Sequence, residues 1–206
     1  MSFLFLWACT ATPPTLPEGT VGRTFWRIGE EDYHAAGFGA LLPMGGGRVV
    51  LSPLALFGPA GGLPRAWTVA EVEATVEMGG LSRIDGEEVL TLAPRPMFAP
   101  PGGDLVAMRL PAGPALAWGG AIPADGPLFV AAAAAGSRTL SVWPVQRGEA
   151  DGAMLRVEAP VDLAGAEGAP LLDRDGAVVG LLVSTTPALV ARAADALRAG
   201  LPSASE

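Results

Sequence analysis

Residues 165–182 read GAEGAPLLDRDGAVVGLL, two short apolar runs on either side of a polar Asp-Arg-Asp-Gly turn. The pair Asp175-Gly176 supplies the positive φ angle that a tight hairpin turn needs. The runs around Leu171-Leu172 and Val178-Val179 have the length and composition of strands. The stretch therefore predicts a β-hairpin, with strands at 170–172 and 177–184.

Similar apolar segments recur along the chain between breaks rich in glycine and proline. With 28 Gly and 20 Pro among 206 residues, long helices can occupy little of the chain. The alternation of Val72, Ala74 and Val76 with glutamates favours a half-buried strand at 68–78. Further strands are predicted at 38–42, 48–52, 88–92, 105–110, 127–133, 139–145 and 154–161. The fold class is therefore all-β, with one C-terminal helix at 186–200 that Thr186 caps and Pro187 begins.

Charge and composition exclude several classes of protein and site. Thirteen basic against 21 acidic residues give a net charge of -8, which disfavours nucleic acid as a partner. No apolar run reaches the roughly 18 to 20 residues of a membrane-spanning helix. The chain has one cysteine, Cys9, and one histidine, His34, so an internal disulfide, a multi-cysteine metal site and a two-imidazole site are all excluded. No cofactor and no metal are expected.

The first 20 residues are predicted to be a signal-like segment and a tether. Residues 2–8 are apolar, and Leu6-Trp7-Ala8-Cys9 resembles a bacterial lipobox, which implies lipid attachment at Cys9. The alternatives are a start that lies further upstream, or a frayed N-terminus with an incidental cysteine. In each case residues 10–20, with three prolines, are expected to be a tether.

Four segments, taken in order, resemble the trypsin-like (chymotrypsin-fold) serine peptidase family, especially its compact bacterial secreted and periplasmic members. They are a hairpin at 37–52, GDLVAMRL at 103–110, GAEGAPLL at 165–172 and DGAVVGLL at 175–182. The resemblance implies two six-stranded antiparallel β-barrels followed by the helix. The barrels would span 21–115 and 116–185, because the Pro- and Gly-rich stretch 111–124 is the natural seam.

The same resemblance places the family's catalytic triad on Ala55, Asp104 and Glu167. The stretch LSPLAL at 51–56 stands where the family has Leu-Thr-Ala-Ala-His-Val, and Glu167 stands at the serine position of the loop that begins with Gly165, the oxyanion-loop glycine. A serine hydroxyl needs an imidazole to take its proton, and the aspartate orients that imidazole. Only the aspartate remains, so no intact catalytic site is expected.

His34 cannot replace the missing imidazole, since it precedes the first hairpin. It is expected to be an exposed partner of Glu30 or Glu31. Asp104 and Glu167 could instead form a close carboxylate pair above a cavity left by Ala55, with split pKa values suited to acid-base chemistry. The alternative is that Glu167 turns to solvent while Asp104 accepts backbone amides.

These observations favour a proteolytically inactive homologue that binds a protein or an extended peptide in the interbarrel cleft by strand addition. Secretion or a periplasmic location is expected, with an anchor to the bacterial envelope if Cys9 is acylated. One alternative is an active or atypical serine-type endopeptidase or hydrolase with a non-standard site. A purely structural envelope module is the third possibility.

Overall fold

The computed structural model describes residues 11–29, 32–86, 89–94, 97–98 and 105–201. The first half of the fold contains β1 (Val21–Ile28), β2 (Asp32–Ala35), β3 (Gly39–Met44), β4 (Gly47–Pro53), α1 (Val69–Thr75), β5 (Val76–Ser82), β6 (Val89–Pro94), β7 (Met97–Phe98) and β8 (Leu105–Leu110). The second half contains β9 (Leu128–Ala132), β10 (Ser141–Asp151), β11 (Met154–Glu158), β12 (Pro170–Leu172), β13 (Val178–Ser184), β14 (Leu189–Ala193) and α2 (Ala194–Ala199). Neither of these helices is long and apolar enough to cross a membrane.

The second half is a closed barrel of six antiparallel strands, in the order β10-β11-β14-β13-β12-β9. Its interior is filled by buried aliphatic side chains such as Val130, Leu155 and Leu182. The predicted hairpin is confirmed, since β12 pairs with β13 and the Asp173 N–H donates to the Ala177 carbonyl at 3.0 Å. Gly176 at the turn has a φ of 82°.

The first half is an eight-stranded sheet whose path does not close among the described residues. Its order is β6-β5-β1-β3-β4-β8-β7, with β2 lying beside β1. The expected all-β class is confirmed, and the first half differs from a six-stranded barrel in having eight strands that form a half-barrel sheet among these residues. Within this sheet, β1 pairs on one side with β3 through Val21 and Gly22 and with β2 through its C-terminal half, and on the other side with β5.

The strand predicted at 68–78 is wrong over most of its length, because residues 69–75 form α1. The Thr68 hydroxyl accepts the Glu71 N–H at 3.3 Å, and the Glu71 carboxylate accepts the Thr68 N–H at 2.8 Å. This reciprocal capping box satisfies two N–H groups that the start of a helix leaves unpaired. Val72 and Val76, the buried residues, stand four apart, which is a helical spacing.

The helix predicted at 186–200 is also corrected, since only Ala194–Ala199 is helical. Residues Leu189–Ala193 form β14, which lies between β11 and β13 and closes the barrel. Closure leaves no unpaired strand edge, and this gain outweighs the local helical pattern. The second barrel therefore extends beyond residue 185, where its end was expected.

The two halves share one hydrophobic core. Leu42 and Leu51 of the first half pack in the same buried cluster as Phe129 and Leu181 of the second. Trp118, in the connection between the halves, donates its indole N–H to the Pro43 carbonyl at 2.9 Å and forms a bridge with Val178. The boundary placed at 115/116 remains a prediction.

The described part of the expected tether, residues 11–20, contacts both halves, and at its end the Thr20 carbonyl accepts the Leu41 N–H at 2.8 Å. Ala11 and Leu16 pack on the shared core. A Cβ atom built on Gly176 would lie 3.2 Å from Pro14 Cβ, so this segment touches the hairpin turn. Apolar side chains of this segment therefore contact the folded part of the chain, and its role as a tether stays a prediction. Cys9 and the lipobox-like residues lie outside the described part of the chain.

Candidate functional site

Ala55 lies in a short 3₁₀ turn, Leu54–Leu56, that directly follows β4. The turn is closed by the Phe57 N–H, which donates to the Leu54 carbonyl at 2.9 Å. The flanking side chains of Leu56 and Phe57 are buried and anchor the turn to the core, whereas Ala55 is exposed. A side chain longer than alanine at this position would project from a well-fixed backbone.

Glu167 lies in the 165–169 loop, which precedes β12. The Ala166 N–H donates to the Leu163 carbonyl and the Ala169 N–H to the Ala166 carbonyl, both at 3.0 Å, so the loop makes two successive tight turns. The Gly168 N–H donates to the Leu182 carbonyl of β13 at 2.7 Å. The loop is thus hydrogen-bonded to β13, the second strand of the hairpin.

The fold brings the Ala55 turn and the 165–169 loop to the same neighbour, residues 37–38. The Phe38 N–H donates to the Glu167 carbonyl at 2.7 Å. A Cβ atom on Gly37 would lie 2.4 Å from Leu56 Cδ1 and 2.5 Å from the Glu167 carbonyl oxygen. The turn and the loop to which the family resemblance assigns the histidine and serine positions therefore share Gly37 and Phe38 as neighbours, at the contact between the two halves.

The Glu167 side chain is held inside this region by Thr185. The Thr185 hydroxyl donates to Glu167 Oε1 at 2.5 Å and accepts the Gly165 N–H at 3.2 Å. Gly165, Thr185 and Glu167 therefore form a hydrogen-bonded chain that engages the backbone donor expected to serve an oxyanion. Glu167 is half-buried, so it is not simply turned to solvent.

Sequence reasoning missed Thr185. The available signal was the hydroxyl run Ser184-Thr185-Thr186 at the end of a predicted strand. Its approach to Glu167 depends on how β13 passes the 165–169 loop, and no local pattern specifies that distance.

Asp104 lies outside the described residues. The next residue, Leu105, begins β8 and pairs with Pro53, one residue before the turn that carries Ala55. The strand that follows Asp104 thus begins beside the Ala55 turn. The Asp104–Glu167 carboxylate pair stays a prediction.

His34 lies on β2, where it pairs with Trp26 of β1. The two rings stack, with centroids 5.9 Å apart and planes 13° apart. Trp26 is fully buried and its ring centroid is 4.5 Å from that of Phe57. The imidazole therefore covers a core tryptophan, while its expected partners Glu30 and Glu31 lie outside the described residues. Within the described ranges, no three His, Cys, Asp or Glu side chains are grouped so as to hold a metal ion.

Comparison with known proteins finds similar solved structures and no matching family model or curated protein. No protein-family model matches the chain, and no curated protein matches it. Solved structures do match: an HtrA-type protease, AlgW, in a serine-to-alanine variant with a tripeptide, has a TM-score of 0.56 and 14% identity, covering 87% of this chain and 58% of AlgW. The inactive form of a serine-to-alanine mutant of Rv3671c from M. tuberculosis has a TM-score of 0.55 and 13% identity, covering 88% of this chain and 85% of that one.

Deg5 is similar to the same degree, with a TM-score of 0.53 and 14% identity over 87% of this chain and 86% of Deg5. Identities this low establish the architecture alone. The closed second barrel and the half-barrel sheet of the first half agree with that architecture. The chain has the trypsin-like serine protease fold of the HtrA- and Deg-type proteases.

Proposed function

We propose that this protein is a trypsin-like serine peptidase homologue without proteolytic activity, which binds a protein or an extended peptide in the cleft between its two halves. The observation that carries the proposal is the hydrogen-bonded chain from the Gly165 N–H through the Thr185 hydroxyl to the Glu167 carboxylate. The sequence resemblance assigns the serine position to Glu167 and the oxyanion loop to Gly165, which supports a site that has lost its catalytic groups.

Three requirements of serine catalysis are unmet at this site. Glu167 carries a carboxylate where an acyl-enzyme needs a hydroxyl. Ala55 has no group that can accept a proton. The Gly165 N–H already donates to Thr185, so it is not pointed at an empty position where negative charge could develop.

Two features support a binding role: the accessible part of the Glu167 side chain and the negative net charge of the chain. An extended peptide can pair with a strand edge through its backbone and place alternate side chains in pockets. Glu167 is half-buried, so part of its surface stays accessible, and the chain carries a net charge of -8. A peptide with basic side chains fits this electrostatic environment best.

Fluorophosphonate labelling with casein turnover tests the loss of catalysis. We expect the full chain to take up no label and to leave casein intact. The same assay is applied to the Ala55→His, Glu167→Ser double variant, which restores the two missing catalytic side chains. The matched control is Ala55→His with Glu167→Ala, which has the imidazole and lacks the hydroxyl. Label gained by the first variant and not by the control would confirm the placement of the site. Reproducible cleavage of casein by the parent, lost in Glu167→Ala, would overturn the proposal in favour of an atypical hydrolase.

The cellular location forms a second part of the proposal. We infer a secreted or periplasmic protein of the bacterial envelope, anchored through an acylated Cys9. The supporting feature is the lipobox-like Leu6-Trp7-Ala8-Cys9. Expression of the full chain in a Gram-negative host, beside Cys9→Ala, tests it by membrane fractionation and by the mass of the N-terminal peptide. A wild-type chain that fractionates like Cys9→Ala and carries no lipid mass would contradict the anchor.

A further inference from the structure

A cavity of about 690 Å³ opens in the second half, away from the residues of the proposed cleft. It lies between the β10–β11 hairpin, the segment 121–124 and the start of α2, and neither the 165–169 loop nor Thr185 lines it. Its volume falls within the range of sites that bind small molecules, roughly 300 to 1,000 Å³. The cavity is therefore a candidate site separate from the degenerate catalytic region.

The cavity wall is mostly hydrocarbon. Six alanines line it, and their short side chains leave the space open. Ile122, Met154 and Leu155 add larger apolar surface, and Leu155 is only 3% exposed. Such a wall favours an aliphatic group over a polar one, because apolar surface is removed from water on binding.

Arg147 is the one basic residue among the described residues that line this wall. Its Nη1 donates to the carbonyls of Pro123 and Ala124, the latter at 2.8 Å. Its Nη2 is closed to water and has no hydrogen-bond partner in the described part of the chain. No carboxylate of the described residues pairs with this guanidinium, so its charge is satisfied by neutral carbonyls alone.

A guanidinium with no carboxylate partner among the described residues, beside an apolar wall, is complementary to a carboxylate with a hydrocarbon tail. Carboxylates accept two hydrogen bonds from one guanidinium, and such charged bonds are about twice as strong as neutral ones. Asp195 is the one acidic residue in the wall, and its Oδ1 is held by the Ala196 N–H at 2.8 Å. Its charge disfavours a second anionic group, which favours a ligand with a single carboxylate.

We propose that this cavity binds a small aliphatic monocarboxylate. Arg147 holds the carboxylate, and the hydrocarbon chain lies against Ile122, Met154 and Leu155. Because Nη2 is covered in this structure, binding includes an outward movement of the segment 121–124, which has no regular secondary structure.

The direct test is a titration of the full chain with octanoate, followed through ¹³C-labelled methionine methyl groups. Met154 lines the cavity, and a Met154→Leu variant identifies its resonance. We expect a saturable shift of this resonance. Octanamide, which has the same tail and no charge, should bind about tenfold more weakly. A Met154 resonance that octanoate leaves unmoved, or equal binding of the two probes, overturns the proposal.

Substitutions separate the charge from the shape of the site. Arg147→Met should weaken octanoate binding about tenfold, and Asp195→Asn should strengthen it about twofold to fivefold because a repelling charge is removed. The amide that replaces the Asp195 carboxylate keeps an oxygen that can accept the Ala196 N–H. Ala121→Leu, at an exposed position, should partly fill the cavity and weaken both probes.

If Arg147→Met does not fold, Asp195→Asn and Ala121→Leu still test octanoate binding, because both variants leave the guanidinium in place. Octanoate affinity that neither of these two variants changes would rule out the cavity as the site. The peptide N-acetyl-Ala-Leu with a free carboxylate serves as a further probe. Binding at least tenfold tighter than octanoate would replace the small monocarboxylate with a peptide C-terminus as the occupant.

Discussion

Helix α1 and the 165–169 loop obtain their shapes in opposite ways. The start of α1 is held by residues three apart, Thr68 and Glu71, with Arg65 donating to the Glu71 carboxylate at 2.5 Å. The 165–169 loop is held by Phe38, Leu182 and Thr185, which lie far away along the chain. A segment of the first kind depends on its own sequence, whereas one of the second kind depends on the complete fold. Substitutions in the loop should therefore cost more stability and disturb both halves.

Gly168→Ala should have the largest effect. Gly168 has a φ of 86°, and a Cβ atom would lie 1.9 Å from the Phe38 carbonyl oxygen. The left-handed conformation and the clash together should destabilise the fold by about 3 kcal/mol or more, since the backbone of another segment must move. Urea denaturation measures the loss.

Gly136→Ala is the matched control for this position. Gly136 has a φ of 75°, but a Cβ atom there would meet nothing within 4 Å. Only the conformational cost of about 1 kcal/mol is expected. Equal losses in the two variants would show that the 165–169 loop is not clamped against residue 38.

Thr185→Val should have the next largest effect, because it removes the hydroxyl that links Gly165 to Glu167 and keeps the shape of the side chain. We expect a loss of about 1.5 kcal/mol and faster exchange of the Gly165 amide proton. Thr139→Val is the control, since Thr139 is exposed and its hydroxyl has no hydrogen-bond partner among the described residues. The control should change stability by less than about 0.5 kcal/mol. Unchanged exchange at Gly165 would contradict the hydrogen-bonded chain.

Thr68→Ala tests helix α1, the segment that is held by residues close in sequence. Loss of this N-cap should cost about 1 kcal/mol, as typical caps do, and should leave the exchange of the Gly165 amide unchanged. Hydrogen exchange of the α1 amides and urea denaturation measure the two effects. Faster exchange at both sites would show that α1 and the 165–169 loop unfold as one unit, and it would contradict their separate origins of stability.

The smallest effect is expected from pH. The hydrogen bond from Arg65, followed by those from Thr68, lowers the pKa of Glu71 from 4.5 to about 2. A lowered pKa in the folded state means that the contribution of Glu71 is complete above the unfolded value and is lost as pH falls from about 4.5 to about 2. Added salt should reduce it, because the pair is exposed. The urea midpoints of wild type and Glu71→Gln should converge over this range, and a difference that grows on acidification would be inconsistent with the pairing.

Much of the fold could be predicted wherever a signal is local. The strand Leu105–Leu110 has the bounds that its apolar run indicates, and the hairpin around Asp173 agrees with its prediction to within one residue. Helix α1 had a local signal, the Thr68–Glu71 spacing, which competed with an alternating pattern in the same residues. Strands β1 and β14 had weaker signals, and β14 forms only because β11 and β13 offer it two edges at once.

The candidate site also has features that the sequence alone sets and features that depend on the tertiary structure. The sequence by itself determined the residue types at the site, an alanine at position 55 and a glutamate at position 167, because side-chain chemistry is set by the chain alone. It also determined the turns, since hairpins and caps are made by neighbours along the chain. Only the tertiary structure decided that Thr185 reaches Glu167, that Phe38 closes the 165–169 loop, and that Arg147 faces neutral carbonyls beside a cavity. The partners in these contacts are well separated along the chain, Thr185 and Glu167 by 18 positions and Arg147 and Ala124 by 23. Their distances therefore follow from how the sheets close and not from any local spacing.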